Sequence, residues 1–271
     1  MTILVTGATG LVGTRLLPRL VSAGLACRAL VRSAKDLPAG VAAVDGDLFN
    51  PDSLVQAVAG VSAIIHLAAV FRTTDDDLIW KVNLDGTRNL IAAAKAHAPG
   101  VRFIMASTSN VYDRDTSRPG REDDAADPKL AYPASKLAAE NELRGSGLNW
   151  VVHRFGFVYG DKDGHMEALP RHVASAQWHP AQRMSLVHHR DIATAMTLAL
   201  TGAMDRHVVN IVDEAPTSVY ELAGLVGAAM APSSEPLANP WYLQADGGLA
   251  RSLGFQPMVR TVYQAVQEKR M

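Results

Sequence analysis

The sequence predicts an α/β fold, a doubly wound parallel sheet with a smaller mixed α/β lobe toward the C-terminus. Two observations predict the sheet. Short β-rich runs alternate with helix-period segments through the first half of the chain, and a glycine-spaced turn joins the first run to the first helix. A third predicts the lobe: Pro170, Pro180, Pro216, Pro232, Pro236, Pro240 and Pro257 punctuate a less regular second half.

Taken in order, Ile3–Thr6 is the first strand and Leu11–Ala23 the first helical segment, with Pro18 inside it. Cys27–Val31, Val41–Val44 and Ala63–Leu67 read as strands. Asn50-Pro51-Asp52 is a helix start, with Asn50 as cap and proline in the first turn. Asp75-Asp76-Asp77 is another, because acids favour the positive end of the helix dipole. Leu78–His97 has one long helical period that stops at Pro99-Gly100. Arg102–Ala106 is a strand, Ala131–Arg144 a helix and Trp150–Arg154 a strand. Beyond them, Arg190–Thr201, Ser218–Met230 and Val259–Lys269 read as helices and His207–Val212 as a strand. Right-handed βαβ crossovers then place helices on both faces of a parallel sheet. The expected division is a core over residues 1–160, a substrate lobe over 161–183 and 208–271, and a return to the core over 184–207.

Composition narrows the function. Of 271 residues, 48% are hydrophobic and 20% charged, enough to bury a core. Lys+Arg number 26 against 27 Asp+Glu, a net charge of −1, which argues against nucleic-acid binding and a polybasic membrane anchor. The longest mostly apolar stretch, Ala57–Phe71, is shorter than the roughly 18 residues of a membrane span. A single cysteine, Cys27, rules out a disulfide framework and a cysteine zinc site, and Met1–Val5 carries no basic leader. The expected compartment is the cytoplasm. His165, His172 and His179 recur every seven residues and His188-His189 are adjacent, but none has metal-ligand spacing, so no metal is expected.

Thr6-Gly7-Ala8-Thr9-Gly10-Leu11-Val12-Gly13 lies between the first strand and the first helix. Glycines there permit a tight turn and let a pyrophosphate approach backbone N–H groups at a helix N-terminus. The other reading is a plain βα turn. Arg32 ends the second strand, nineteen residues after Gly13, where an acid would bind ribose hydroxyls and an arginine accommodates a 2′-phosphate. With Ser33 and Lys35 beside it and Asp36 late, Arg32 favours NADP over NAD; its alternative is a solvated strand-end charge. Asp47 can accept from an adenine amino group and Leu48 can pack on the ring, or Asp47 can serve as a turn residue.

Tyr132 and Lys136 are four apart, on one face of a helix. An ammonium beside a phenol lowers the phenol pKa from about 10, making the tyrosine a proton donor or acceptor near neutral pH. Ser107-Thr108-Ser109 ends the preceding strand, where a hydroxyl can hold a substrate oxygen; ordinary loop chemistry is the alternative.

The ordered motifs resemble a known family. Thr6–Gly13 reads TGxxGxxG, Gly46-Asp47-Leu48 reads GDL, His66-Leu67-Ala68-Ala69 reads HxAA, and Asn83–Thr87 reads NxxGT. Ser107–Tyr112 fits the family's SS/T-x-x-VY segment, Tyr132 to Lys136 reads YxxxK, Arg154 to Gly160 RxxxVYG, and His188–Asp191 HxxD. Together they resemble the extended short-chain dehydrogenase/reductases, in the NAD(P)-dependent epimerase/dehydratase group. The resemblance implies a Rossmann-type sheet and hydride transfer between nicotinamide C4 and a carbonyl or carbinol carbon of a small or sugar-like substrate. It implies that Gly7, Gly10, Leu11, Val12 and Gly13 hold the pyrophosphate, Asp47 and Leu48 the adenine, and Leu67, Ala68 and Ala69 the ribose–phosphate path. Asn83 would contact the cofactor near the nicotinamide, Phe155 and Val158 would border its ring, and Lys136 would bind its ribose. Thr108, Tyr132 and Lys136 form the implied catalytic set. A homodimer through the Leu78–His97 and Ala131–Arg144 helices is also implied by resemblance.

Departures matter too. Asp113 replaces a glycine and Phe155 a proline or tyrosine; Thr108 is followed by Ser109-Asn110 rather than an acid pair, which argues against a dehydratase. Two other functions stay open: a nucleotide-sugar epimerase with retained NAD(P), and a non-catalytic NADP-binding sensor.

Overall fold

The computed structural model describes residues 1–33, 37–112 and 115–271; Lys35, Asp36 and Asp113 lie outside them. Strand β1 (Thr2–Thr6) leads to helix α1 (Gly13–Ser22), then β2 (Ala26–Val31), β3 (Val41–Asp45) and α2 (Pro51–Val58). Next come β4 (Ala63–His66), α3 (Asp76–Trp80), α4 (Gly86–His97), β5 (Arg102–Thr108), α5 (Ala131–Arg144) and β6 (Asn149–Phe155). A seven-stranded sheet in the order β10-β6-β5-β4-β1-β2-β3 is completed by β10 (Val208–Ile211). Its pairings are all parallel.

Strand alternation sorts the core into two layers. Ile3, Val5, Ile65 and Ile104 face α1 and α7 (His189–Leu200), packing on Leu16, Leu17, Leu20, Ile192 and Met196. Leu4, Ile64, Phe103 and Met105 face α2, α4 and α5, packing on Leu54, Val58, Leu90, Ala94 and Leu143. Each such leucine contributes about 1.5–3 kcal/mol by burial. Asn50 caps α2 by accepting from the Ser53 N–H, and Asp75 caps α3 by accepting from the Leu78 N–H.

The remaining elements are β7 (Phe157–Tyr159), α6 (His165–Ala176), β8 (Arg183–Met184), β9 (Leu186–His188), β11 (Thr217–Ser218), α8 (Val219–Leu225), α9 (Gly248–Ser252) and α10 (Val262–Gln267). β7 pairs with β9 and β8 with β11, and Tyr159, Met166, Leu169, Leu186, Leu222 and Val262 form a separate cluster.

Several expected boundaries differ. The single helix over Leu78–His97 is interrupted by a π-helical turn, Lys81–Asp85, that swings Asn83 inward. α1 begins only at Gly13, because the preceding residues are spent on the turn. α8 stops at Leu225, close to Gly224 and the left-handed Gly227 (φ 72°). α10 starts late, where Thr261 caps the Gln264 N–H. β10 lies beside β6, so the chain is still in the central sheet beyond residue 207. Among the described residues, no helix is long and apolar enough to cross a membrane.

Candidate active site

The glycine turn is built by removing side chains. Gly7 has φ 66°, and a Cβ there would sit 2.6 Å from the Ala68 nitrogen. A Cβ on Gly13 would sit 2.3 Å from the Gly7 carbonyl oxygen, so α1 starts pressed against the turn. Gly10 donates to the Gly7 carbonyl at 3.0 Å and its outer face is exposed. Val12, at the N-cap of α1, provides no side-chain cap, and Leu11 and Val12 are half-buried. The result is an open backbone cradle at the N-terminus of a ten-residue helix, the geometry and charge that fit a diphosphate.

A buried hydrogen-bond chain ties that turn to β4. Thr87 donates to the Asn83 carbonyl at 2.6 Å, so the His66 Nε2–H donates to Thr87 Oγ1 at 2.9 Å. His66 Nδ1 therefore accepts from the Thr6 hydroxyl at 2.6 Å. Thr6 Oγ1 accepts in turn from the Ala68 N–H at 3.4 Å. Burial first, and the Lys136 charge second, push the His66 pKa down to about 3, so the imidazole is neutral. Leu67 and Ala68 are half-buried and Ala69 exposed just beyond this chain.

On the adenine side, Arg32 is exposed at the end of β2 and has no ion-pair partner among the described residues. Asp47 Oδ1 accepts from the Phe49 N–H at 2.8 Å, a turn role, and its other oxygen has no partner among the described residues. Leu48 is buried with α2 and α4, and its carbonyl accepts from Asn89.

Helix α5 carries the expected catalytic pair. Tyr132, Lys136 and Glu140 fall on one face at successive turns. Lys136 is 2% exposed and its ammonium has no hydrogen-bond partner among the described residues. Burial pushes its pKa down to about 8, against an opposing pull from Glu140. Tyr132 packs on Phe71 at 5.5 Å between ring centroids, and its hydroxyl is likewise unpartnered among the described residues. The expected lowering of the phenol by Lys136 is not what the structure gives. Burial pushes Tyr132 up to about 12, because desolvation penalises the phenolate and no bond from Lys136 offsets it. Thr108 ends β5 beside α5; its Oγ1 accepts from the Asn110 N–H at 3.1 Å and keeps its proton to donate.

Sequence reasoning missed what anchors this face. Glu140 is fully buried, accepts from Ser107 Oγ, and pairs with Arg154 at 2.7 Å. Arg154 also donates to Tyr112 Oη, which donates to Asn210 on β10 at 2.7 Å. The signal for Glu140 was its place four residues after Lys136; its partners come from β5 and β6 and only the fold brings them together.

Two expected cofactor contacts are placed differently. Asn83 is fully buried: its Oδ1 accepts from the Val70 N–H at 2.8 Å, and its amide donates to the Val70 carbonyl and Ser135 Oγ. It clamps the turn after β4 to α5, which leaves little of it for a ligand. Phe155 is 6% exposed and belongs to the α1–α7 core layer, against which Val12, Leu67 and Val158 pack. Val158 is half-buried, with its carbonyl taken by His165. His188 caps α7 and its Nε2–H donates to the Arg270 carbonyl, a structural role.

Comparison with known proteins follows the same lines. Ceramide reductase of Caulobacter vibrioides is 30% identical over 203 residues, 71% of this chain and 58% of that one. A 4-hydroxy-2-methyl-3-oxo-4-farnesyl-3,4-dihydroquinoline-1-oxide ketoreductase of Stigmatella aurantiaca is 30% identical over 243 residues, 82% of this chain and 71% of that one. The chain thus spans just over half the length of the first relative. The structure of MoeE5 in complex with UDP-glucuronic acid and NAD superposes with a TM-score of 0.80 at 27% identity, covering 98% of this chain and 97% of that one. The model of the NAD dependent epimerase/dehydratase family matches residues 3–212, and the chain belongs to that family.

Proposed function

We propose that the protein is an NADP-dependent carbonyl reductase acting on a small substrate. The observation that carries this reading is α5: a lysine 2% exposed and a phenol one helical turn away, neither with a hydrogen-bond partner among the described residues, together with a bare glycine cradle at the start of α1. A reduced nicotinamide supplies hydride when bound. The chain supplies the rest. Gly7, Gly10, Leu11, Val12 and Gly13 offer backbone to the diphosphate, with Leu67, Ala68 and Ala69 along its path. Asp47 Oδ2, without a partner among the described residues, accepts from the adenine amino group. Lys136 donates to the ribose, its natural partner in a pocket that otherwise leaves it unpaired. Thr108 donates to the substrate oxygen. Tyr132, held protonated by burial, gives its proton to that oxygen as charge develops there.

One feature supports reduction as the net direction. Two relatives named above, ceramide reductase and the quinoline-oxide ketoreductase, carry reductases' names. Arg32 supports NADP, since an exposed strand-end guanidinium suits a 2′-phosphate. The match to the NAD dependent epimerase/dehydratase family over residues 3–212 favours one second reading, epimerisation with a retained nucleotide.

Calorimetric titration with NADPH and NADH tests the cofactor, and absorbance with a ketone panel tests the reaction. We expect NADPH to bind at least tenfold tighter, Arg32→Ala to erase that preference, and a ketone to drive sustained NADPH loss. Equal affinities contradict the NADP assignment. No net loss, together with a nucleotide released only on denaturation, contradicts reduction and supports epimerisation.

A further inference from the structure

The lobe side of the cleft holds an acceptor that the proton-transfer residues do not use. His165 opens α6 and is 8% exposed. Its Nδ1–H donates to the Val158 carbonyl at 2.8 Å, which fixes the tautomer and leaves the lone pair on Nε2. Nε2 is shut off from solvent and has no donor among the described residues. The imidazole stacks on Phe157 at 5.2 Å and 24°, and meets Phe71 edge-on at 6.3 Å. Phe71 in turn packs on Tyr132 at 5.5 Å. One aromatic ring therefore separates the imidazole from the phenol. Phe71 is 42% exposed, with the Arg72 guanidinium 5.0 Å over its ring.

Burial, aided by the nearby Arg72 charge, holds His165 below the usual imidazole range. A neutral imidazole with Nδ1 engaged can only accept. A buried acceptor without a donor is destabilising, and a ligand O–H or N–H relieves it. His172, seven residues along α6, has a second buried Nε2 without a donor. We propose that His165 Nε2 is a substrate-recognition acceptor, selecting ketones that carry a second hydrogen-bond donor, a hydroxyl or an amide N–H, apart from the reacting carbonyl. This rests on the carbonyl-reductase reading and narrows its substrate class to donor-bearing ketones over plain alkyl ketones.

Matched probes test it: the aldol of benzaldehyde and acetone, and its O-methyl ether, which keeps the shape and loses the donor. Their affinities are measured by calorimetry on protein saturated with NADP⁺, and NADPH consumption is followed separately. The unaltered, NADP⁺-saturated protein should prefer the hydroxyl form by about 10- to 100-fold, the range of one buried hydrogen bond. His165→Phe and His165→Met should each bring that ratio to about one, and His165→Gln, which keeps an acceptor, should retain part of it. Either apolar variant suffices provided it still binds NADP⁺. Equal binding of the two probes by the unaltered protein, binding of neither, or an unchanged ratio in the apolar variants overturns the proposal. Selective binding with no NADPH consumed leaves this acceptor standing and overturns the reductase reading instead.

Discussion

The glycine turn and the α5 charge line are built by opposite means. The turn works by subtraction: Gly7 and Gly13 have no room for a Cβ, and what remains is backbone at a helix end. The α5 line works by addition, placing Tyr132, Lys136 and Glu140 on one face and burying two of their charges. The residues that form the backbone site are consecutive, although Gly7 is pressed against the Ala68 backbone. A buried charge line needs partners from strands, here Ser107 and Arg154. The first is therefore intolerant of side chains, whereas the second depends on charged and polar partners distant in sequence.

Breaking the charge line should have the largest effect on stability. Glu140→Ala leaves the Arg154 guanidinium, 3% exposed, without its carboxylate. We expect a loss of about 3–5 kcal/mol, read by denaturant unfolding. A loss below about 1 kcal/mol would mean that the pair is not structural.

Breaking the turn should cost binding more than stability. Gly7→Ala forces a left-handed alanine and a contact of 2.6 Å with the Ala68 nitrogen. Nucleotide affinity should fall by about 100-fold or more, measured by calorimetry on protein whose fold is checked by circular dichroism. Unaltered affinity would place the diphosphate elsewhere.

The two regions meet at Lys136, and pH sharpens the comparison. The free protein's ammonium titrates at about 8, and a ribose acceptor favours the charged form. Proton uptake should therefore accompany nucleotide binding above pH 8, and affinity should weaken as pH rises through that value. In Lys136→Met the affinity should be lower and flat over the same range. A slope that survives in the variant belongs to another group.

The smallest expected effect lies at the junction with the lobe. Burial pushes Asp213 up to about 8, and its Oδ2 has no partner among the described residues. Its folded pKa is above the unfolded value of 3.8, so the unfolded chain loses the proton first. Stability from this group is present in acid and declines as pH rises toward 8. Asp213→Asn should match the parent near pH 4 and exceed it by about 1 kcal/mol or more at pH 8, read by thermal unfolding at both. The opposite trend would mean that the carboxylate is ionised and paired.

The contrast also explains what the sequence discloses. The β-rich run Ile3–Thr6 and the glycine spacing are local patterns, and the structure has β1 at Thr2–Thr6 with a helix opening at Gly13. The Asn50 and Asp75 caps are local too. What was not legible is long-range or electrostatic. Asn83 became a clamp because a π-turn and the Val70 backbone claim it. Phe155 went into the core because its strand's alternation points it toward α1 and α7. The Tyr132 phenol rose instead of falling because desolvation outweighs an ammonium that does not bond to it. His165 and Phe71 are distant in sequence and only the fold sets them edge to edge.

The most direct test of the central claim is Tyr132→Phe, assayed for NADPH oxidation with a ketone and for NADPH affinity on the same preparation. The account predicts a fall in kcat of about 100- to 10,000-fold with affinity within threefold of the parent. A fully active variant, or one that loses nucleotide and turnover together, would contradict it.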